Sequence, residues 1–218
     1  MLGTYLLVLI GPGSIILASV LAIPEPETLI LVAASFGGTV GVVILLLGQL
    51  SGAHVNPAIT LGSTLSGSFS WKLLLPYVAF QVVGGLLAAI SLRLALGAAG
   101  PIASLGSTEL AAGITPLSGT TLEFIGTFIL TLSALTASSY IQPRFKQAIS
   151  VGGTLFLLIL TIGPLTGASF NPARSLGPSV VSGYFQNQLV YYAGPLAGAT
   201  FAGLTFRLLR EFLDRKLR

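Results

Sequence analysis

The chain contains no cysteine and a single histidine, and only 7% of its 218 residues are charged. Without cysteine there is no disulfide, no thiol nucleophile and no Cys-ligated metal. His54 alone cannot build a multi-histidine metal centre. With no thiol beside it, no set of nucleophile, base and orienting group can be assembled for an enzyme. No catalytic residue, metal or cofactor is therefore expected. Soluble domains carry about 25% charged residues, so the shortage of charge removes the chain from that class too. Its net charge of +4 does not point to nucleic acid, because the basic residues are dispersed. Lys72, Arg144, Lys146, Arg207, Arg210, Arg215, Lys216 and Arg218 fall in alternate connections and at the C-terminal end, while Glu25, Glu27 and Glu109 fall in the others. By the positive-inside rule, that alternation places both termini in the cytoplasm after an even number of crossings. The stretch REFLDRKLR then reads as a helix end facing headgroups.

What fills the sequence instead is apolar: 53% hydrophobic residues and a mean hydropathy of +0.93. A helix crossing a bilayer needs about 20 mostly apolar residues, and such stretches recur near 2–23, 29–50, 72–96, 119–141, 147–165 and 188–209. The first is read as a span rather than a leader peptide, because no Lys or Arg precedes it. The expected fold class is an all-α membrane protein with six transmembrane helices, multi-pass in the plasma membrane and surrounded by lipid.

The chain also repeats itself. Gly3-Thr4-Tyr5 returns as Gly126-Thr127-Phe128, Ser51-Gly52-Ala53-His54-Val55-Asn56-Pro57-Ala58 as Thr166-Gly167-Ala168-Ser169-Phe170-Asn171-Pro172-Ala173, and Tyr77 with Gln81 as Tyr191 with Pro195. The order and spacing of the landmarks are kept. The boundary lies in residues 97–118, rich in Gly, Ala, Ser and Pro, so 1–96 and 119–218 are the two repeats. Each holds three spans, an odd number, so the halves lie upside down relative to one another. Inverted repeats place the functional site near the midplane, at broken helices.

The two Asn-Pro-Ala boxes supply those breaks. Asn is a strong helix N-cap and Pro is favoured at the first helical position, where a missing N–H costs nothing. Residues 57–66 and 172–182 therefore read as short helices of about ten residues, or about 15 Å. That is half of the ~30 Å hydrocarbon thickness. Two half-helices entering from opposite sides complete one span, and small Ala58 and Ala173 let their tips approach. Non-helical backbone at membrane depth is tolerated only when buried in protein or lining a water-filled cavity, so the re-entrant fold implies a pore. Two helix N-termini, each worth about half a positive charge, then point at one spot together with the amides of Asn56 and Asn171. A water held there by its oxygen turns its hydrogens outward, which interrupts proton hopping, and the positive potential repels cations.

On these boxes, the Gly-Thr pairs and the half-to-half spacing, the whole chain resembles the aquaporins of the major intrinsic protein family. The resemblance implies a homotetramer with one pore per subunit and a second constriction outward of the Asn pair. By position in the family's pattern, that selectivity filter falls on Phe36, Ile159, Ala168 and Arg174. Arginine at membrane depth marks a pathway. Water-selective members usually carry His where this chain has Ile159, while glycerol facilitators tend to have Trp, Gly and Phe at the three non-arginine positions. The expectation is a water channel with an unusually apolar filter that also passes small neutral solutes. The alternative is a conduit mainly for glycerol, ammonia, hydrogen sulfide, peroxide or metalloid hydroxides. A secondary transporter shares the architecture, but only Glu123 and Arg174 supply charge at depth. A closed structural protein of the same fold is the remaining rival.

The family normally places a buried Glu three residues before the Gly-Thr glycine in each half, bracing the adjacent re-entrant loop. Glu123 supplies it in the second half. In the first, Gly3 stands too close to Met1, so His54 and the backbone of 50–55 must find other partners unless the native chain begins upstream. His54 is expected to brace its loop by hydrogen bonding.

Overall fold

In the computed structural model, residues 1–97 and 104–216 are described, with side chains as far as Leu213. Part of the expected inter-repeat connection and the basic side chains of Arg215, Lys216 and Arg218 lie outside the described residues. The described residues form eight α-helices: α1 Leu2–Val20, α2 Glu25–Ser51, α3 Pro57–Leu65, α4 Trp71–Leu96, α5 Pro116–Tyr140, α6 Arg144–Thr166, α7 Pro172–Ser182 and α8 Val190–Lys216. Five of the long ones, α1, α2, α4, α5 and α6, have both the length and the apolarity to cross a membrane. Helix α8 matches them in length but is less apolar, being rich in Tyr, Gly, Ala and Thr. It packs closely along α5 and α3 and buries Tyr191 completely.

Local chemistry explains where the helices differ from the expected spans. Helix α2 starts at Glu25 rather than near 29, because Pro26 is tolerated in the first turn and Glu25 and Glu27 complement the positive end of the helix. Helix α5 begins at Pro116, inside the expected connection, because the Thr115 side chain accepts the Ser118 N–H. Helices α2 and α6 end in matched left-handed caps, Gly52 with φ 77° and Gly167 with φ 76°, where glycine carries no Cβ penalty.

The packing obeys the repeat. Helix α1 lies on α4 and α2, as α5 lies on α8 and α6. The short α3 packs on α8 of the other half, as α7 packs on α4. Helices α2 and α6 meet each other across the pseudo-symmetry axis. There a Cβ built on Gly37 would stand 2.6 Å from the Gly152 carbonyl oxygen, so only small residues permit this approach. The long helices turn large apolar side chains such as Leu46, Leu75, Leu94 and Leu157 outward, the pattern of a protein solvated by lipid.

Candidate functional site

Both re-entrant loops leave a left-handed glycine and keep positive φ at the first and third residues beyond it. Ala53 and Val55 have φ of 51° and 47°, and Ala168 and Phe170 have 43° and 51°. A β-branched or bulky residue at positive φ is an outlier, and here it recurs at the same position of each half. Each loop then delivers an extended asparagine, at φ −149° for Asn56 and −151° for Asn171. Asn56 Oδ1 accepts the Ala58 N–H at 2.8 Å, while Asn171 Oδ1 accepts those of Ala173 at 3.0 Å and Arg174 at 3.3 Å.

The caps fix the amide planes, and the amino groups then cross. Asn56 Nδ2 donates to the Phe170 carbonyl at 2.7 Å, and Asn171 Nδ2 donates to the Val55 carbonyl at 3.0 Å. Each half-helix is thus tied to the loop that feeds the other. An amide carries two N–H donors, so one on each asparagine is left over by this clasp. Both side chains line a cavity of about 370 Å³.

That cavity runs from the end of the molecule carrying Ser51, Ser68 and Gln147, past the asparagine pair, to Phe36 and Arg174. One wall is apolar, with Val40, Ile44, Leu130 and Leu155. The other carries His54, Asn56, Asn171 and Arg174. The carbonyls of 52–54 and 167–169 accept no hydrogen bond among the described residues. Arg174 is 1% exposed, with its Cζ 5.0 Å from the centroid of the Phe36 ring. Its Nη1 donates to the Gly106 carbonyl at 2.9 Å. Ile159 and Ala168 are buried in the same apolar cluster as Phe36, near one another around Gly163. Neither lines the cavity, which stops at Phe36 and Arg174.

Residues 1–206 match the family described as Major intrinsic protein. The chain belongs to that family. Aquaporin NIP1-2 of Oryza sativa subsp. japonica is 34% identical over 224 residues, which cover 100% of this chain and 72% of the relative. Aquaporin NIP1-1 of Arabidopsis thaliana is 35% identical over 226 residues, covering 100% and 74%. The X-ray structure of the aquaglyceroporin from Plasmodium falciparum superposes with a TM-score of 0.83 over 99% of this chain and 94% of that one. At 22% identity this last likeness speaks for the fold alone. As a member of the major intrinsic protein family, the chain is an integral multi-pass membrane protein with the architecture of a channel.

Within this family member the two loops are supported differently. Glu123 is completely buried. Its Oε1 accepts the Thr166 hydroxyl at 2.7 Å and the Ser169 N–H at 3.0 Å, and its Oε2 accepts the Phe170 N–H at 2.7 Å. In the first half the support is pieced together, among the described residues, from hydroxyls and an imidazole. Thr4 Oγ1 reaches the Val55 carbonyl at 3.4 Å, Ala53 N–H reaches Ser51 Oγ at 3.4 Å, and the Tyr77 hydroxyl donates to the Ser51 carbonyl at 2.6 Å. His54 Nδ1 lies 3.3 Å from Thr60 Oγ1, which donates to the Asn56 carbonyl at 2.9 Å and accepts from Gln81 Nε2 at 2.9 Å. The imidazole also sits against Phe69 and Tyr77, with centroids at 4.9 and 5.3 Å. The N–H groups of His54 and Val55 have no acceptor among the described residues. A cavity of about 220 Å³ opens beside this loop, lined by Thr4, Ser51, Val55 and Gln81.

Sequence reasoning missed the inter-repeat connection as part of the site. Thr108 Oγ1 lies 2.9 Å from Ser175 Oγ, which lies 2.6 Å from Ser169 Oγ, whose hydroxyl donates to the Asn171 carbonyl at 3.0 Å. Farther out, the Tyr184 hydroxyl donates to Glu109 Oε2 at 2.7 Å, and this bond pushes the phenol up to about 12. No motif marks residues 104–109. Glycine at 106 was the only local hint, and it stands in a stretch where glycine is common.

Proposed function

We propose that this chain is a passive channel for water whose apolar filter also passes small neutral solutes, and which excludes protons and ions. The observation that carries the reading is the crossed asparagine clasp lining the same cavity that ends at Arg174. Two capped helix N-termini bring positive potential and free N–H donors to one point. A water there is held by its oxygen. Arg174 adds a fixed positive charge at the end of the cavity, and the Phe36 ring beside it keeps the passage narrow. In this reading Phe36, Ile159, Ala168 and Arg174 form the filter, and Glu123 and His54 brace the loops. The chain works as a homotetramer in the plasma membrane with both termini in the cytoplasm.

A second reading, a channel mainly for glycerol or another small uncharged solute, is favoured by Ile159 and Ala168. Both share the apolar cluster of Phe36 and offer no side-chain hydrogen bond opposite the guanidinium, so a solute carrying carbon meets a compatible wall. Stopped-flow swelling of reconstituted vesicles under water and glycerol gradients separates the two. The water reading expects fast water and slow glycerol, and glycerol flux rivalling water would replace it with the second. Ile159→His should narrow the range of solutes by adding a polar wall; an unchanged range would remove Ile159 from the filter.

A further inference from the structure

Phe36 and Arg174 come from opposite halves of the chain, yet both rest on one turn of α1. A Cβ built on Gly11 would overlap the Phe36 ring, so the ring lies directly against bare backbone there. The next residue, Pro12, supports the other partner. A Cβ built on Gly106 would stand 3.0 Å from the Pro12 carbonyl oxygen and 3.1 Å from its Cα. Gly106 has φ 64°, in the region that glycine alone adopts freely, and its carbonyl is the acceptor of Arg174 Nη1.

That carbonyl is fixed from three sides. Leu105, fully buried at φ 52°, anchors it in a separate apolar cluster with Ile16, Ala89 and Leu92. Pro12 blocks movement towards α1. Thr108 ties the following residues to Ser175 on α7, one residue beyond Arg174. The guanidinium needs such a fixed point. Its Nε is buried without a hydrogen-bond partner, and a flexible arginine side chain with one bond removed samples other rotamers.

We propose that Gly11, Pro12 and Gly106 are positioning residues that set the aperture of the filter: Gly11 seats the Phe36 ring, and Gly106, propped on Pro12, presents the carbonyl that holds Arg174 in place. The inference rests on reading Phe36 and Arg174 as the filter. Crowding at Gly11 drives the ring towards the guanidinium and tightens the passage. Crowding at Gly106 pushes the carbonyl away from α1, frees the guanidinium and loosens it.

The test is the ratio of glycerol to water permeability in reconstituted vesicles. Loss of folded channels scales both fluxes together and leaves that ratio unmoved. Gly106→Ala should raise the ratio about threefold, equivalent to about 0.65 kcal/mol in relative barrier, and Gly11→Ala should lower it. In an Arg174→Ala background the Gly106→Ala effect should disappear, because the glycine acts through the arginine. Should Gly106→Ala fail to assemble, Leu105→Ala loosens the same anchor without touching either the acceptor or a glycine, and should raise the ratio by a smaller factor. An unchanged ratio in Gly11→Ala and in Gly106→Ala or Leu105→Ala, with Arg174→Ala still altering it, overturns this inference and leaves the filter standing. If Arg174→Ala itself leaves the ratio unchanged, the filter reading falls and the inference with it.

Discussion

The two re-entrant loops have nearly the same backbone and unlike supports. Residues 53–56 and 168–171 share their left-handed turns, their capping asparagines and their crossed bonds to one another. Phe170 seats its ring on Gly126 as Val55 seats its side chain on Gly3. Behind the second loop, however, stands one carboxyl that takes three hydrogen bonds. Behind the first, among the described residues, are a threonine, a serine, a tyrosine and an imidazole. The lesson is that the strained backbone of both loops is fixed by the same capping geometry and the same clasp. Among the described residues the bonds to Glu123 are shorter than those of the Thr4 and Ser51 hydroxyls to the first loop, and they should be the more costly to remove.

The largest expected effect is at Glu123. In Glu123→Gln one carboxyl oxygen becomes an amino group facing an N–H, so a bond is lost and a buried donor is left unpaired, at about 1–3 kcal/mol. Thermal unfolding in detergent should register it, accompanied by lower water flux; a melting point equal to wild type would deny the second loop its brace. Next come the asparagines. Each cap is worth about 1 kcal/mol, but Asn171 caps two N–H groups and Asn56 one. Asn171→Ala should thus lower stability and water permeability more than Asn56→Ala does, and the reverse ranking would break the comparison. A smaller contrast separates Thr166→Val from Thr4→Val. Thr166 donates to Glu123 and accepts the Ala168 N–H at 3.1 Å, and its loss should cost about 1 kcal/mol. Thr4 makes one long bond of 3.4 Å, and its loss should fall within a few tenths, since such distances carry little.

The smallest effect concerns the Tyr184–Glu109 bond, which joins the segment after α7 to the inter-repeat connection. A phenol raised to about 12 keeps its bond below the ordinary value of about 10, and loses it as pH climbs through the raised one. Ultraviolet difference titration against Tyr184→Phe should show that late ionisation. A tyrosine ionising at its ordinary value would show the contact to be absent.

Much of this was legible from residue types. Asn-Pro-Ala announced two capped half-helices because cap and proline chemistry is local, and the matched order of landmarks announced an inverted repeat. The arginine three residues beyond Asn171 was assigned by the resemblance, and its side chain lines the same cavity as the asparagine pair. What the sequence concealed is non-local. Nothing in Gly11, Pro12, Leu105 or Gly106 tells that residues so far apart in the chain meet beneath Phe36 and Arg174. That Gln81 would turn to Thr60, or that Thr4 would reach the Val55 carbonyl, depends equally on contacts that only folding makes. Helix starts moved by a few residues wherever an acidic first turn or a threonine cap extended a span into its connection.

The measurement closest to the central claim follows water and protons across the same vesicles. Two opposed helix tips holding one column of water should give fast osmotic swelling with no accompanying proton leak when a pH gradient is imposed. Vesicles no more permeable to water than empty ones, or swelling matched by rapid collapse of the pH gradient, would contradict it.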